Sequence, residues 1–161
     1  MCTYLRTNNL IDVNKMMPFI QNMKHHSILI GRLDNGVDLL DGLVNVCLNE
    51  NITLGRIEGV GAVKKARIGF YNQKTLSYSY RQFDHPLEIT KLVGNISLKD
   101  QTPFIHAHIT LADKNGNAYG GHLASGTVVF MCEFILEVYD GVALERFYND
   151  ETGLLLWKMK D

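Results

Sequence analysis

Beyond its first two dozen positions, the chain alternates apolar and polar residues with clear periods. Residues 27–33 (SILIGRL) read as a strand that Asp34-Asn35-Gly36 breaks. Val37, Leu40, Leu43, Val44, Cys47 and Leu48 then fall at helical spacing. Asp38 and Asp41 lie near the start of that helix, where its dipole favours negative charge, and residues 49–51 hold asparagines that tolerate a left-handed cap. Period two takes over afterwards, predicting strands near 53–60, 64–72, 76–83, 87–98, 103–112, 127–139, 143–148 and 153–158. Residues 72–75 and 113–117 (DKNGN) are the predicted turns. One helix followed by a run of strands predicts an α/β (α+β) fold, a mostly antiparallel sheet packed by one main helix. Residues 1–24, Asn- and Met-rich and weakly periodic, read as an N-terminal extension or a short packed helix before a domain at 25–161.

Two predicted strands carry most of the information. In 104–111 one face is Ile105, Ala107, Ile109 and Leu111, and the other is Phe104, His106, His108 and Thr110. In 128–138 one face, Val128, Phe130, Cys132, Phe134, Leu136 and Val138, is uniformly apolar and is the predicted core face. The opposite face holds Val129, Met131 and Ile135 around Glu133, and apolar groups so placed need cover, which another subunit would supply.

Length and composition narrow the picture. The 161 residues fit one domain, and 46% hydrophobic content is enough for a core without staples. A net charge of −1 argues against tight non-specific binding to DNA. The cysteines, Cys2, Cys47 and Cys132, are odd in number and form no CxxC pair, so reduced thiols and a cytoplasmic location are expected. The N-terminus lacks the apolar stretch of a secretory signal, and no run approaches the ~18 apolar residues of a membrane helix.

The candidate chemistry centres on histidine. His106 and His108 share one strand face, roughly 6.5–7 Å apart along it, close enough to reach one ion. His122 follows Gly120-Gly121, whose freedom would let the backbone bend and bring it back to them. Three imidazoles with an open fourth position suit zinc, although copper, iron or nickel would also accept them. The same pattern also suits a polar strand face with hydrogen-bonded histidines. Glu133 is the candidate catalytic residue, as a general acid or base or as a group orienting a metal-bound imidazole; an ion pair across a subunit contact is its alternative role. DKNGN fails as a calcium loop, because Gly116 is misplaced and Ala124 stands where a glutamate is needed. Gly59-Val60-Gly61 precedes no helix, so it is not a dinucleotide fingerprint.

Together, Pro103-Phe104-x-His106-x-His108, Leu111-Ala112-Asp113, Gly116 and Gly120-Gly121-His122-Leu123 closely resemble the signature of the PPC (plant and prokaryote conserved) domain. Gly59-Val60-Gly61-Ala62-Val63, Leu87-Glu88-Ile89, Gly94-Asn95 and Gly36-Val37-Asp38 fit as well, and the similarity runs from about His26 to Trp157. The resemblance implies an α/β fold with a largely antiparallel sheet and a homotrimer. Plant members carry an AT-hook and act in DNA-associated regulation; its Arg-Gly-Arg-Pro core is absent here, so the chain resembles the stand-alone prokaryotic form. The family's motif histidines map onto His106, His108 and His122, and its acidic strand position onto Glu133. Three functions follow as expectations: a homotrimer with a metal- or small-ligand-binding site, a DNA- or protein-associated regulatory module with structural histidines, or a metal-dependent enzyme using metal-bound water.

Overall fold

The computed structural model describes residues 20–158, so most of the predicted N-terminal extension lies outside the described residues. The elements are β1 (Lys24–Leu33), α1 (Leu39–Asn49), β2 (Gly55–Asn72), β3 (Ser77–Phe83), β4 (Leu87–Lys99), β5 (Thr102–Ala112), β6 (Ala118–Leu123), β7 (Val128–Asp140), β8 (Arg146–Asn149) and β9 (Leu154–Trp157). Seven strands form one antiparallel sheet in the order β1-β7-β2-β4-β5-β6, with β3 added to β2. The long β2 uses its first half against β4 and β7 and its second half against β3 and β6. Its contact with β6 closes β2, β4, β5 and β6 into a ring. β8 and β9 form a separate hairpin, tied to the end of β4 where the Leu98 N–H donates to the Leu144 carbonyl. The fold is α+β, as the pattern predicts. No helix among the described residues is long and apolar enough to cross a membrane.

The core lies between the helix and the inner face of the curled sheet. Leu39, Leu43 and Cys47 of α1 are buried with Ile57, Leu92, Ile96, Leu136 and the predicted inward face of β5. Asp38 caps the helix: one carboxylate oxygen accepts from the Leu40 and Asp41 N–H groups, and the other accepts from Gly126 N–H at 2.6 Å. This one side chain therefore satisfies orphan helix donors and pins the loop entering β7. Asp38→Ala is expected to cost about 2 kcal/mol, the upper end for a lost cap, read as a lower urea midpoint at unchanged slope.

Four sequence-based expectations need correction. Strands 53–60 and 64–72 are one strand, because Gly59-Val60-Gly61 makes a bulge in the ladder and not a turn. Gly61 sits at φ +147, and a Cβ there would collide with the Met131 carbonyl oxygen of β7. Gly120 and Gly121 do not bend the chain back; both lie inside β6, an element the pattern did not predict, with Gly121 giving room to Ile68 and Gly69 of β2. The inner face of β7 is interrupted at Phe130. A register shift between Ala62 and Val63 buries Val129 completely and leaves Phe130 58% exposed. Finally, β7 pairs with β1 and β2 and not with β5, so the convergence expected between Glu133 and the histidines fails within one protomer.

Candidate metal centre

The three histidines meet through strand pairing alone. His106 and His108 alternate onto the outer face of β5, the opposite side from Ile105, Ala107 and Ile109. His122 on β6 is the direct cross-strand partner of His108, and Gly69 of β2 pairs with it from the other side. One nitrogen from each imidazole lies within 4.8 Å of the other two. Ring centroids are 5.5 Å apart for His106–His108, 5.2 Å for His106–His122 and 5.6 Å for His108–His122. Three nitrogens around a tetrahedral ion at ~2.0–2.1 Å stand only somewhat closer together, a difference that small imidazole rotations remove. The cluster can coordinate a divalent metal ion.

The surroundings fit such an ion. Nδ1 of His122 is buried without a hydrogen-bond partner, a polar atom the polypeptide leaves unsatisfied. Burial holds the His106 imidazole down at about 4, with the neighbouring His122, Arg146 and His108 adding to the effect. Burial also lowers His122, followed by His108 and Arg146. Both rings are thus kept in the neutral form that ligates metals. At pH 6, zinc binding to three ordinary imidazoles would release about two protons. Here fewer protons are released, because folded His106 is already neutral at that pH, and calorimetry in buffers of differing ionisation heat measures the difference. The metal-free protein should also lose stability as pH falls from the ordinary 6.5 toward about 4, because the unfolded chain takes up a proton that folded His106 refuses.

A cavity of 790 Å³ adjoins the cluster and shares His106 with it. The β8–β9 hairpin supplies one wall, through Arg146, Phe147, Leu154, Leu156 and Trp157, and β4 and β5 supply Asn95 and Phe104. Arg146 is only 7% exposed. Its Nε donates to Ser97 Oγ at 2.7 Å, Nη1 to the Leu155 carbonyl at 2.9 Å and Nη2 to Asn95 Oδ1 at 2.8 Å. Asn95 is the cross-strand partner of His106, which places the guanidinium on the histidine face of the sheet. The sequence reading missed Arg146. Its signal was weak: a single cation, directly after Glu145, in the run 142–148 that includes a predicted strand.

Glu133 stands elsewhere, on β7 between Arg32 of β1 and Val60 of β2. β2 and β4 separate it from β5.

Residues 20–140 match the sequence pattern of the Plants and Prokaryotes Conserved (PCC) domain, which covers most of the chain. The chain belongs to this family. Its fold is similar to solved PCC-type structures. A metal-containing protein of Archaeoglobus fulgidus is 38% identical, with 89% of this chain and 99% of that one covered and a TM-score of 0.83. A plant- and prokaryote-conserved protein of Pyrococcus horikoshii is 32% identical over 88% and 98% of the two chains, with a TM-score of 0.82. A candidate DNA-binding protein of Bacteroides thetaiotaomicron is 29% identical over 85% and 97%, with a TM-score of 0.77. No curated protein matches the chain. The PCC match ends at Asp140, so Arg146 and the hairpin lie beyond it.

Proposed function

We propose that this PCC-domain protein binds one divalent metal, zinc in the first instance, through His106, His108 and His122, and presents it to a small ligand in the adjoining cavity. The observation that carries the reading is the convergence of one nitrogen from each of three imidazoles within 4.8 Å, with His122 also carrying a buried Nδ1 that has no partner among the described residues. The metal content of the Archaeoglobus fulgidus relative supports it. Three nitrogen ligands leave a position free, where a bound divalent ion supplies Lewis-acid polarisation. The chain's own residues do the rest: the imidazoles fix the ion's place, Arg146 adds positive charge, and Phe104, Phe147 and Trp157 limit water. The test is the metal content of protein purified without added metal. About one equivalent of metal per chain, lost when the histidines are replaced, supports the reading; a metal-free protein that gains no thermal stability from zinc overturns it.

The assembly proposed for this centre is a homotrimer. Ile28, Ile30, Val60, Met131 and Ile135 form an exposed apolar band across β1, β7 and β2, on strands that pair directly. Glu133 sits within that band and would belong to the subunit contact. Duplex DNA is not proposed as a ligand, given a net charge of −1. A gel shift at physiological salt should show no sub-micromolar binding to random duplex.

A further inference from the structure

We propose that the cavity beside the histidines is an anion-recognition site that takes a small monocarboxylate with an apolar body, its carboxylate held by Arg146 and Trp157. The inference deepens the metal-site reading and rests on it for the purpose of the binding, which is to hold a carboxylic acid next to the metal.

The case begins with an unbalanced charge. Arg146 is buried, yet no carboxylate among the described residues lies within ion-pair distance of it. Its three hydrogen bonds go to neutral oxygens, those of Ser97, Asn95 and Leu155. A guanidinium carries five N–H donors, so two have no acceptor among the described residues. Burying an arginine with neutral partners only is costly, and an anion arriving in the cavity would offset that cost.

A second, independent observation comes from Trp157. Its indole Nε1 is buried with no hydrogen-bond partner, and an indole N–H can only donate. Trp157 lines the same cavity, and the Arg146 guanidinium carbon lies 5.3 Å from its ring. Two residues that line one wall thus carry donors with no acceptor among the described residues. Phe104, Phe147, Leu154 and Leu156 make the remaining walls apolar. A ligand that satisfies this arrangement needs acceptor oxygens at one end and hydrocarbon at the other.

Charge selects carboxylate over phosphate. Arg146 is the one buried cation of the cavity; Lys158, the other basic residue lining it, packs its ammonium 5.7 Å from the Phe147 ring at the end of the hairpin. Without the metal, one guanidinium matches one negative charge, and its planar fork suits a carboxylate.

The test uses the metal-free full chain and three probes of one shape: phenylacetate, the neutral phenylacetamide and the dianionic benzylphosphonate. Phenylacetate should bind at least tenfold more tightly than either of the others. Arg146→Met should weaken phenylacetate at least tenfold without weakening zinc binding. Arg146→Lys, which keeps the charge, should restore part of the loss. Equal binding of acid and amide by the parent protein overturns the proposal, and so does an Arg146→Met protein that binds phenylacetate normally. Tighter binding of benzylphosphonate overturns the carboxylate assignment. If the Met variant fails to fold, the acid-to-amide ratio of the parent decides alone. Zinc affinity is measured separately, so a protein that binds phenylacetate through Arg146 but takes no zinc would refute the metal reading and not this one.

Discussion

His122→Ala should remove most of the thermal stabilisation that zinc confers, while barely changing the metal-free protein. A metal present at a thousandfold excess over its dissociation constant stabilises the folded chain by about 4 kcal/mol. For a chain of this length that corresponds to roughly 8–16 °C in Tm. Losing one of three ligands and about a hundredfold in affinity would leave about 1.4 kcal/mol of that gain at the same zinc concentration. The metal-free comparison separates ligation from packing. His122 carries a buried nitrogen with no partner, so its truncation also removes a desolvation cost. The metal-free variant is therefore expected within about 1 kcal/mol of the parent. Equal zinc-induced shifts in parent and variant would show that His122 is not a ligand.

Ile30→Asp should convert a trimer into monomers. Ile30 is 80% exposed in the single chain and pairs across the ladder with Ile135, itself 48% exposed. At so exposed a position a charge changes the stability of an isolated protomer by no more than about 0.5 kcal/mol. Buried in a subunit contact, the same unpaired carboxylate costs several kcal/mol per ion. Light scattering at micromolar concentration should give three times the 18.2 kDa chain mass for the parent and one chain mass for the variant. A monomeric parent would end the trimer proposal.

Much of the fold was legible because it depends on local periodicity. The faces of β5 follow directly from alternation, and the helix follows from its apolar spacing, with Asp38 marking its start and Asn51 taking the left-handed conformation just after it. What failed depends on partners. The bulge at Phe130 exists because β7 lies against β2, and no feature of 128–138 alone announces that neighbour. Gly120 and Gly121 suggested a bend, whereas Gly121 lets two backbones approach, which a single-strand reading cannot distinguish. The histidines were found because two sit at strand spacing and the third follows a motif glycine pair. Glu133 was given a role beside them, but strand order, which puts β2 and β4 between β7 and β5, is not written in either strand's own pattern. Arg146 stayed hidden because its importance comes from what is missing around it, an acidic partner, and that shows only in three dimensions.

All three histidines stand on rungs of hydrogen-bonded strands, with none on a loop. The core that holds those strands lies on the opposite face and owes nothing to an ion. Metal uptake by this cluster would consequently not be a folding step, in contrast to small zinc domains whose ligands assemble only around the ion. The empty and loaded forms should share one backbone. Ligands mounted this stiffly select an ion by size and geometry, and they tolerate poorly one that demands more of them. Exchange of one metal for another would need no unfolding, because His108 lies exposed at the surface.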